Sequence, residues 1–274
     1  NTHTVVRFSS DPQIRYAGDG SVFTGGGFVV SKSTDGGATW SPITGDPTGG
    51  ATLNFFVDPS DPDRLLIADA STLFLSQDGG ATFQPVHTGA TPGGLFLGGV
   101  YFDGPDIYAA TDEGMLLSSG GAAFVPYALP GFPTGQAIAS IAAGAANGAV
   151  RFVIVTVSTV NNHAVPGNWY SKYTGTYCAD LGGSWAPCAA GLGSGDQMAF
   201  VAMAQNDPLN VYAIGYNTAA YSLKVYKSTD GGSAWQPSLI TSGNQNVATG
   251  WAGQQADPAN GARWWNGWGQ FVRG

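Results

Sequence analysis

One short unit recurs along this chain and limits its fold more than any other feature. It reads Ser33-Thr34-Asp35-Gly36-Gly37-Ala38-Thr39-Trp40, then Ser76-Gln77-Asp78-Gly79-Gly80-Ala81-Thr82-Phe83, then Ser228-Thr229-Asp230-Gly231-Gly232-Ser233-Ala234-Trp235. Two worn copies lie between, Ser118-Ser119-Gly120-Gly121-Ala122-Ala123-Phe124 and Leu181-Gly182-Gly183-Ser184-Trp185, which read as having lost the Asp or the register. Such self-similarity is the signature of a repeat architecture. An Asp side chain bonds backbone N–H groups two residues on and closes a tight turn. The Gly pair supplies the positive φ angles that turn needs. The aromatic residue after it opens the next strand and offers a large apolar body to bury against a neighbouring sheet.

The aromatic positions are 43 residues apart from Trp40 to Phe83, then 41 to Phe124, 61 to Trp185 and 50 to Trp235. Between them lie four short runs rich in β-branched and aromatic residues, bounded by Gly, Pro, Asn and Asp, which read as strands. In the first unit these are Thr4–Ser10, Ile14–Ala17, Phe28–Ser33 and Thr39–Ile43; in the fourth, Ile138–Ala143, Arg151–Val157, Trp169–Tyr173 and a strand near Trp185. A period near 42 with four strands each predicts an all-β propeller of four-stranded antiparallel blades. Five blades are recognisable, at about 1–48, 49–92, 93–133, 134–192 and 193–241, with a partial sixth over 242–274, in one propeller domain or segment. A solenoid is the competing architecture, but each unit reads as a meander rather than a single coil.

Composition agrees. With 42 Gly, 12% aromatic and only 10% charged residues, the 274-residue chain is too apolar to be disordered and suits many strands with tight turns. The net charge of −8 makes nucleic acid or an anionic membrane surface an unlikely partner. No apolar stretch reaches the 18 residues of a membrane span. The opening Asn1-Thr2-His3 and the closing Gln270-Phe271-Val272-Arg273-Gly274 suggest a processed or excised piece of a longer polypeptide, with further domains or neighbouring subunits as partners. Cys178 and Cys188, ten apart in what reads as a Gly-rich insertion, make a poor metal site without a nearby His pair. A disulfide and an oxidising, extracellular or cell-surface setting are expected, with two free thiols as the alternative.

The repeated turn resembles the Asp-box, or bacterial neuraminidase repeat, S-x-D-x-G-x-x-W. The turns before each second strand (Asp11-Pro12, Asp58-Pro59-Ser60-Asp61-Pro62, Asp103-Gly104-Pro105, Asp207-Pro208) resemble the matching half of blades in xyloglucan-cleaving glycosidases, sortilin-type receptors and photosystem assembly factors. With the four strands of a blade called A to D, the resemblance implies that the A–B and C–D turns lie on one face, and the B–C and D–A loops on the other. Asp35, Trp40, Asp78, Phe83, Asp230 and Trp235 are then structural box residues, and Asp58, Asp61, Asp207, Arg15, Arg64 and Arg151 also lie on the box face. A sialidase site of this fold needs three Arg, a Tyr–Glu pair and an Asp acid. Six Arg, three of them on the box face, and the single Glu113 do not supply one.

The opposite face carries the catalytic candidates Asp19, Asp69, Asp112 and Glu113 in B–C loops, with Asp196 and Asp257 in D–A loops. An inverting glycosidase needs an acid and a base carboxylate roughly 6.5–9.5 Å apart. The xyloglucan-cleaving family uses two Asp between two propellers, and this chain has at most one; for each acid, a solvated loop residue or Asx turn is the plain alternative. Two long loops carry the ligand-binding candidates: Asn161 and His163 in one, and Trp251, Trp264, Trp265 and Trp268 in the other. Aromatic faces beside amides suit sugar rings; Trp packing that seals the last blade against the first is the alternative. His163 stands alone as a surface residue, so neither a metal site nor a Ser–His–Asp triad is indicated, and no cofactor is implied. The expected function is a secreted glycan-directed propeller, as part of a glycoside hydrolase with carbohydrate as its partner. The alternative is a non-catalytic binding or scaffold propeller, such as a receptor-like or surface-assembly module.

Overall fold

The structure, a computed structural model, describes residues 4–19, 27–90, 94–158, 173–217 and 222–238. Among the described residues every regular element is a strand, and the strands form five four-stranded antiparallel sheets. Each sheet is a meander in chain order. The first holds β1 (Thr4–Phe8), β2 (Arg15–Asp19), β3 (Val29–Ser33) and β4 (Ser41–Pro42); the second β5 (Asn54–Val57), β6 (Leu65–Ala68), β7 (Thr72–Ser76) and β8 (Gln84–Thr88). The third holds β9 (Leu97–Asp103), β10 (Asp106–Thr111), β11 (Gly114–Ser119) and β12 (Val125–Pro126). In the fourth are β13 (Gln136–Ala146), β14 (Ala149–Ser158), β15 (Tyr173–Asp180) and β16 (Ala186–Pro187); in the fifth β17 (Asp196–Ala204), β18 (Asp207–Asn217), β19 (Ser222–Ser228) and β20 (Gln236–Ser238). The partial sixth blade expected over 242–274 lies outside the described residues.

The chain divides into two compact units, Asn1–Ala109 with Leu116–Pro126, and Ala110–Met115 with Tyr127–Gly274. In the first unit, Tyr16 and Val30 pack with Phe55, Leu65 and Ile67, while Leu66, Leu73 and Leu75 pack with Ile107, Leu116 and Phe124. All four residues of β6 are buried, so its unbroken apolar run reflects a strand covered on both faces. In the second unit the core is Val153 and Val155 against Met198, Val211, Tyr226 and Trp235.

The repeated turns share one hydrogen-bond pattern. The serine hydroxyl donates to its Asp (Ser33 to Asp35 at 2.7 Å, Ser76 to Asp78 at 2.8 Å, Ser228 to Asp230 at 2.7 Å). It accepts the N–H of the second glycine, Gly37 at 2.8 Å and Gly80 and Gly232 at 2.9 Å each. The Asp carboxylate then accepts the N–H four residues on, from Thr39, Thr82 or Ala234, at 2.9 Å each. Both glycines of each pair have positive φ, between 69° and 94°, so an L side chain at either is strained. The residue after the Asp position donates its N–H to a carbonyl at or just before the start of the second strand, Gly36 to Gln13 at 2.9 Å and Gly231 to Leu209 at 3.0 Å. The worn copies do the same, Gly120 to Pro105 at 3.0 Å and Leu181 to Val150 at 2.9 Å.

That shared bond corrects the reading of the fourth copy. Counting back from Trp185, Asp180 occupies the Asp position in register and Cys178 the serine position; what has changed is Ser to Cys and the first Gly to Leu181. β15 begins where the expected strand Trp169–Tyr173 ends. The cysteines therefore do not sit in an insertion: Cys178 lies on β15 and Cys188 just after β16, and they form a disulfide. Trp40 is a second correction. Trp185 and Trp235 are buried, at 5% and 2% exposure, whereas Trp40 is 38% exposed and folds its indole N–H back onto the Gly37 carbonyl at 3.0 Å.

The brace is testable at Ser76, whose buried hydroxyl is the acceptor for Gly80 N–H. Ser76→Ala is expected to lower stability by about 1–2 kcal/mol in urea unfolding, because a buried donor loses its partner. Ser119→Ala, at an exposed position, is expected to cost no more than about 0.5 kcal/mol.

Candidate functional site

In the second unit the pairing register brings strand ends together. Asp196, the first residue of β17, lies opposite Asn217, the last of β18, and Asn217 lies opposite Ser222, the first of β19. These are the ends of the sheet that carry the connections into β17 and from β18 to β19. Asp196 Oδ1 accepts from Lys224 Nζ at 3.0 Å and from Asn217 Nδ2, and Oδ2 accepts the Gly193 N–H at 2.8 Å. Asn217 Nδ2 also donates to the Ser194 carbonyl at 3.2 Å. The Asp196 side chain is only 2% exposed, while that of Lys224 is 33% exposed.

Burial opposes ionisation of Asp196, but the donors from Asn217 and Lys224, together with the neighbouring Tyr226 hydroxyl, prevail and hold its pKa at about 2. Tyr226 is buried next to it; its hydroxyl is oriented toward the carboxylate without reaching regular hydrogen-bond geometry. Burial first, and then the Asp196 carboxylate, push the Tyr226 hydroxyl's pKa up. Tyr173, from the fourth sheet, packs against the same core; burial raises its pKa, and its hydroxyl pairs with Thr176 at 2.9 Å. The corresponding ends of the fourth sheet hold a neutral version of the cluster. There Gln136 Oε1 accepts from the Thr156 hydroxyl at 2.7 Å and the Thr174 hydroxyl at 3.0 Å.

The other candidate acids are placed separately. Asp69 follows β6, and its Oδ1 accepts the N–H groups of Ser71 and Thr72 at 2.7 Å each, which makes it the builder of an Asx turn. Asp112 and Glu113 form the β10–β11 turn, where the Thr111 hydroxyl accepts the Glu113 N–H at 3.0 Å and Glu113 is exposed. Asp19 ends β2. Asn161, His163, Trp251, Asp257, Trp264, Trp265 and Trp268 lie outside the described residues. Asp58 is buried and paired with Arg64, and Arg151 pairs with Asp180 at 3.2 Å. No group of three or more His, Cys, Asp or Glu side chains is arranged to hold a metal among the described residues. No helix among them is long and apolar enough to cross a membrane.

Sequence reasoning singled out Asp196 but missed Lys224, Asn217 and Tyr226. The available signal was a lysine, one of few in the chain, two residues from a tyrosine and hence on the same face of a strand.

Residues 14–245 match the model of the DUF6242 beta propeller domain. No curated protein matches the sequence significantly. Among solved structures the chain is similar to a GH74 enzyme from Niastella koreensis, with 17% identity and a TM-score of 0.59 over 86% of this chain and 38% of that one. It is also similar to the GH74 xyloglucanase of Xanthomonas campestris (18% identity, TM-score 0.49, 86% of this chain and 45% of that one). A third similar structure is YCF48 from Cyanidioschyzon merolae (18% identity, TM-score 0.48, 88% and 87%). The chain thus spans less than half the length of the two GH74 proteins, and identities this low speak to the fold alone.

Proposed function

Because this chain belongs to the DUF6242 beta propeller family, we propose that it is an Asp-box propeller that binds glycans at the strand ends bearing Asp196, Asn217 and Lys224. One observation carries the reading: an ionised, buried carboxylate is held between an amide and a partly exposed ammonium group. Sugar hydroxyls can accept from the Lys224 ammonium group, the partly exposed member of the set, while the buried Asp196 and Asn217 hold that group in place at the sheet end. The expected partner is carbohydrate. The disulfide supports an extracellular or cell-surface location, since such bonds persist in oxidising compartments.

A carboxylate with a pKa of about 2 accepts hydrogen bonds but does not deliver a proton near neutral pH. Binding is therefore the better supported form of the reading. Hydrolysis, as part of a longer polypeptide, additionally requires a general acid, with Asp19, Asp69, Asp112 and Glu113 as the candidates. The Asx turn at Asp69 favours the second reading, a non-catalytic binding or scaffold propeller.

A glycan-array screen of the intact protein, with an assay for released reducing sugar, tests this. At least one glycan class is expected to bind, and Lys224→Ala is expected to weaken that binding about tenfold or more, the loss of one charge-assisted hydrogen bond. Sugar release would add the hydrolase. No binding and no release would remove the glycan reading and leave the scaffold.

A further inference from the structure

The fourth sheet has the repeated turn without its brace. Cys178 stands at the serine position and is 4% exposed, matching Ser33, Ser76 and Ser228 at 1% each. Asp180, in register with Asp35, Asp78 and Asp230, does not close the turn with its carboxylate; it turns outward to Arg151. Leu181 replaces the first glycine, and of the fourth turn's Gly182 and Gly183 only Gly182 has positive φ, at 76°. What holds this corner instead is the bond from Cys178 to Cys188.

Cys188 opens the seam to the fifth sheet. Its carbonyl accepts the Trp235 indole N–H at 2.8 Å, the Ala190 carbonyl accepts the Trp235 backbone N–H at 2.8 Å, and Ala190 forms a parallel bridge with Ala234. We infer that the Cys178–Cys188 disulfide is a covalent substitute for the Ser–Asp brace of the turns at 33–40, 76–83 and 228–235, and that its reduction releases the 188–190 seam on which Trp235 docks. A depression of about 330 Å³, lined by Cys178 and Cys188 together with Arg151, Asp180, Ser184 and Ser233, gives a small dithiol a route to the sulfurs. The dithiol supplies two electrons to the Sγ–Sγ bond; two protons complete the cysteine thiols, and the reductant closes its own disulfide.

Hydrogen exchange on the intact chain, with and without dithiothreitol, reads the effect directly. Protection in residues 184–192 and 230–238 is expected to fall on the order of 50-fold, the loss expected for opening so short a disulfide loop. The turns at 33–40 and 76–83 are expected to be unchanged. Unchanged exchange at 184–192, or equal loss at every turn, would overturn the inference. A second arm compares Cys178→Ala/Cys188→Ala with Cys178→Ser/Leu181→Gly/Cys188→Ala, which rebuilds the Ser-x-Asp-Gly-Gly pattern around Asp180. The rebuilt turn is expected to regain most of the lost protection at 184–192; no gain over the double alanine variant overturns the equivalence. If neither variant folds, reduction of the unaltered chain decides alone.

Discussion

Replacing Trp235 with alanine is expected to lower the stability of the second unit by about 3–5 kcal/mol, the usual range for deleting a fully buried large aromatic side chain. Trp235 is 2% exposed and packs among Met198, Val153 and Tyr226. Its indole N–H is spent on the Cys188 carbonyl at 2.8 Å, so the alanine variant leaves both a void and a buried acceptor without its donor. The equivalent change at Trp40 removes the same side chain from the same place in the repeat. There the ring is 38% exposed and its N–H bonds to its own turn, so a loss of about 1 kcal/mol is expected. Urea unfolding of both variants against the unaltered chain measures the contrast. Equal losses at the two positions would mean that burial in the next sheet is not what gives the repeated aromatic its energetic weight.

The difference between Trp40 and Trp235 also marks how far the repeat could be read from the sequence. The turn is legible because its chemistry is local: a hydroxyl, a carboxylate two residues on and two glycines with positive φ are all within one short window. The fate of the aromatic is decided by a neighbouring sheet and is not legible there. The fourth copy shows the same limit from the other side. Cys178 and Leu181 replaced the two residue types that make the motif visible, so Asp180 passed unnoticed although it had kept its place. β15 was missed for a related reason, since Thr174, Gly175, Thr176 and Cys178 suggest an insertion until their pairing with β14 is seen. Of the candidate site, only Asp196 was within local reading; its partners were not. Asp196, Asn217 and Lys224 come from three strands, and only the register of β17 on β18 and of β18 on β19 brings them together.

Because Asp196 is the centre of that arrangement, Asp196→Ala is expected to cost about 2–3 kcal/mol at neutral pH, as the Asn217 amide and Gly193 N–H lose a buried charged acceptor. Lys224 can turn to water, which keeps the cost below that of breaking a fully buried ion pair. The pH dependence separates charge from shape. The folded pKa of Asp196, about 2, lies below the roughly 3.9 of an unfolded Asp, so its contribution is fully present above the unfolded value. That contribution is lost as pH falls from about 4 through about 2. Asp35, Asp78 and Asp230 are also lowered, chiefly by the hydroxyls of Thr39, Thr82 and Ser228 respectively, so the unaltered chain loses stability across the same window from several sites. Subtracting an Asp196→Asn variant isolates one of them, because asparagine keeps the size of the side chain and removes its charge. The gap between the two proteins in urea unfolding should be constant above about pH 5 and narrow steadily towards pH 2. A gap that stays the same down to pH 2 would mean that Asp196 contributes by packing alone, and the charge pairing with Lys224 would have to be given up.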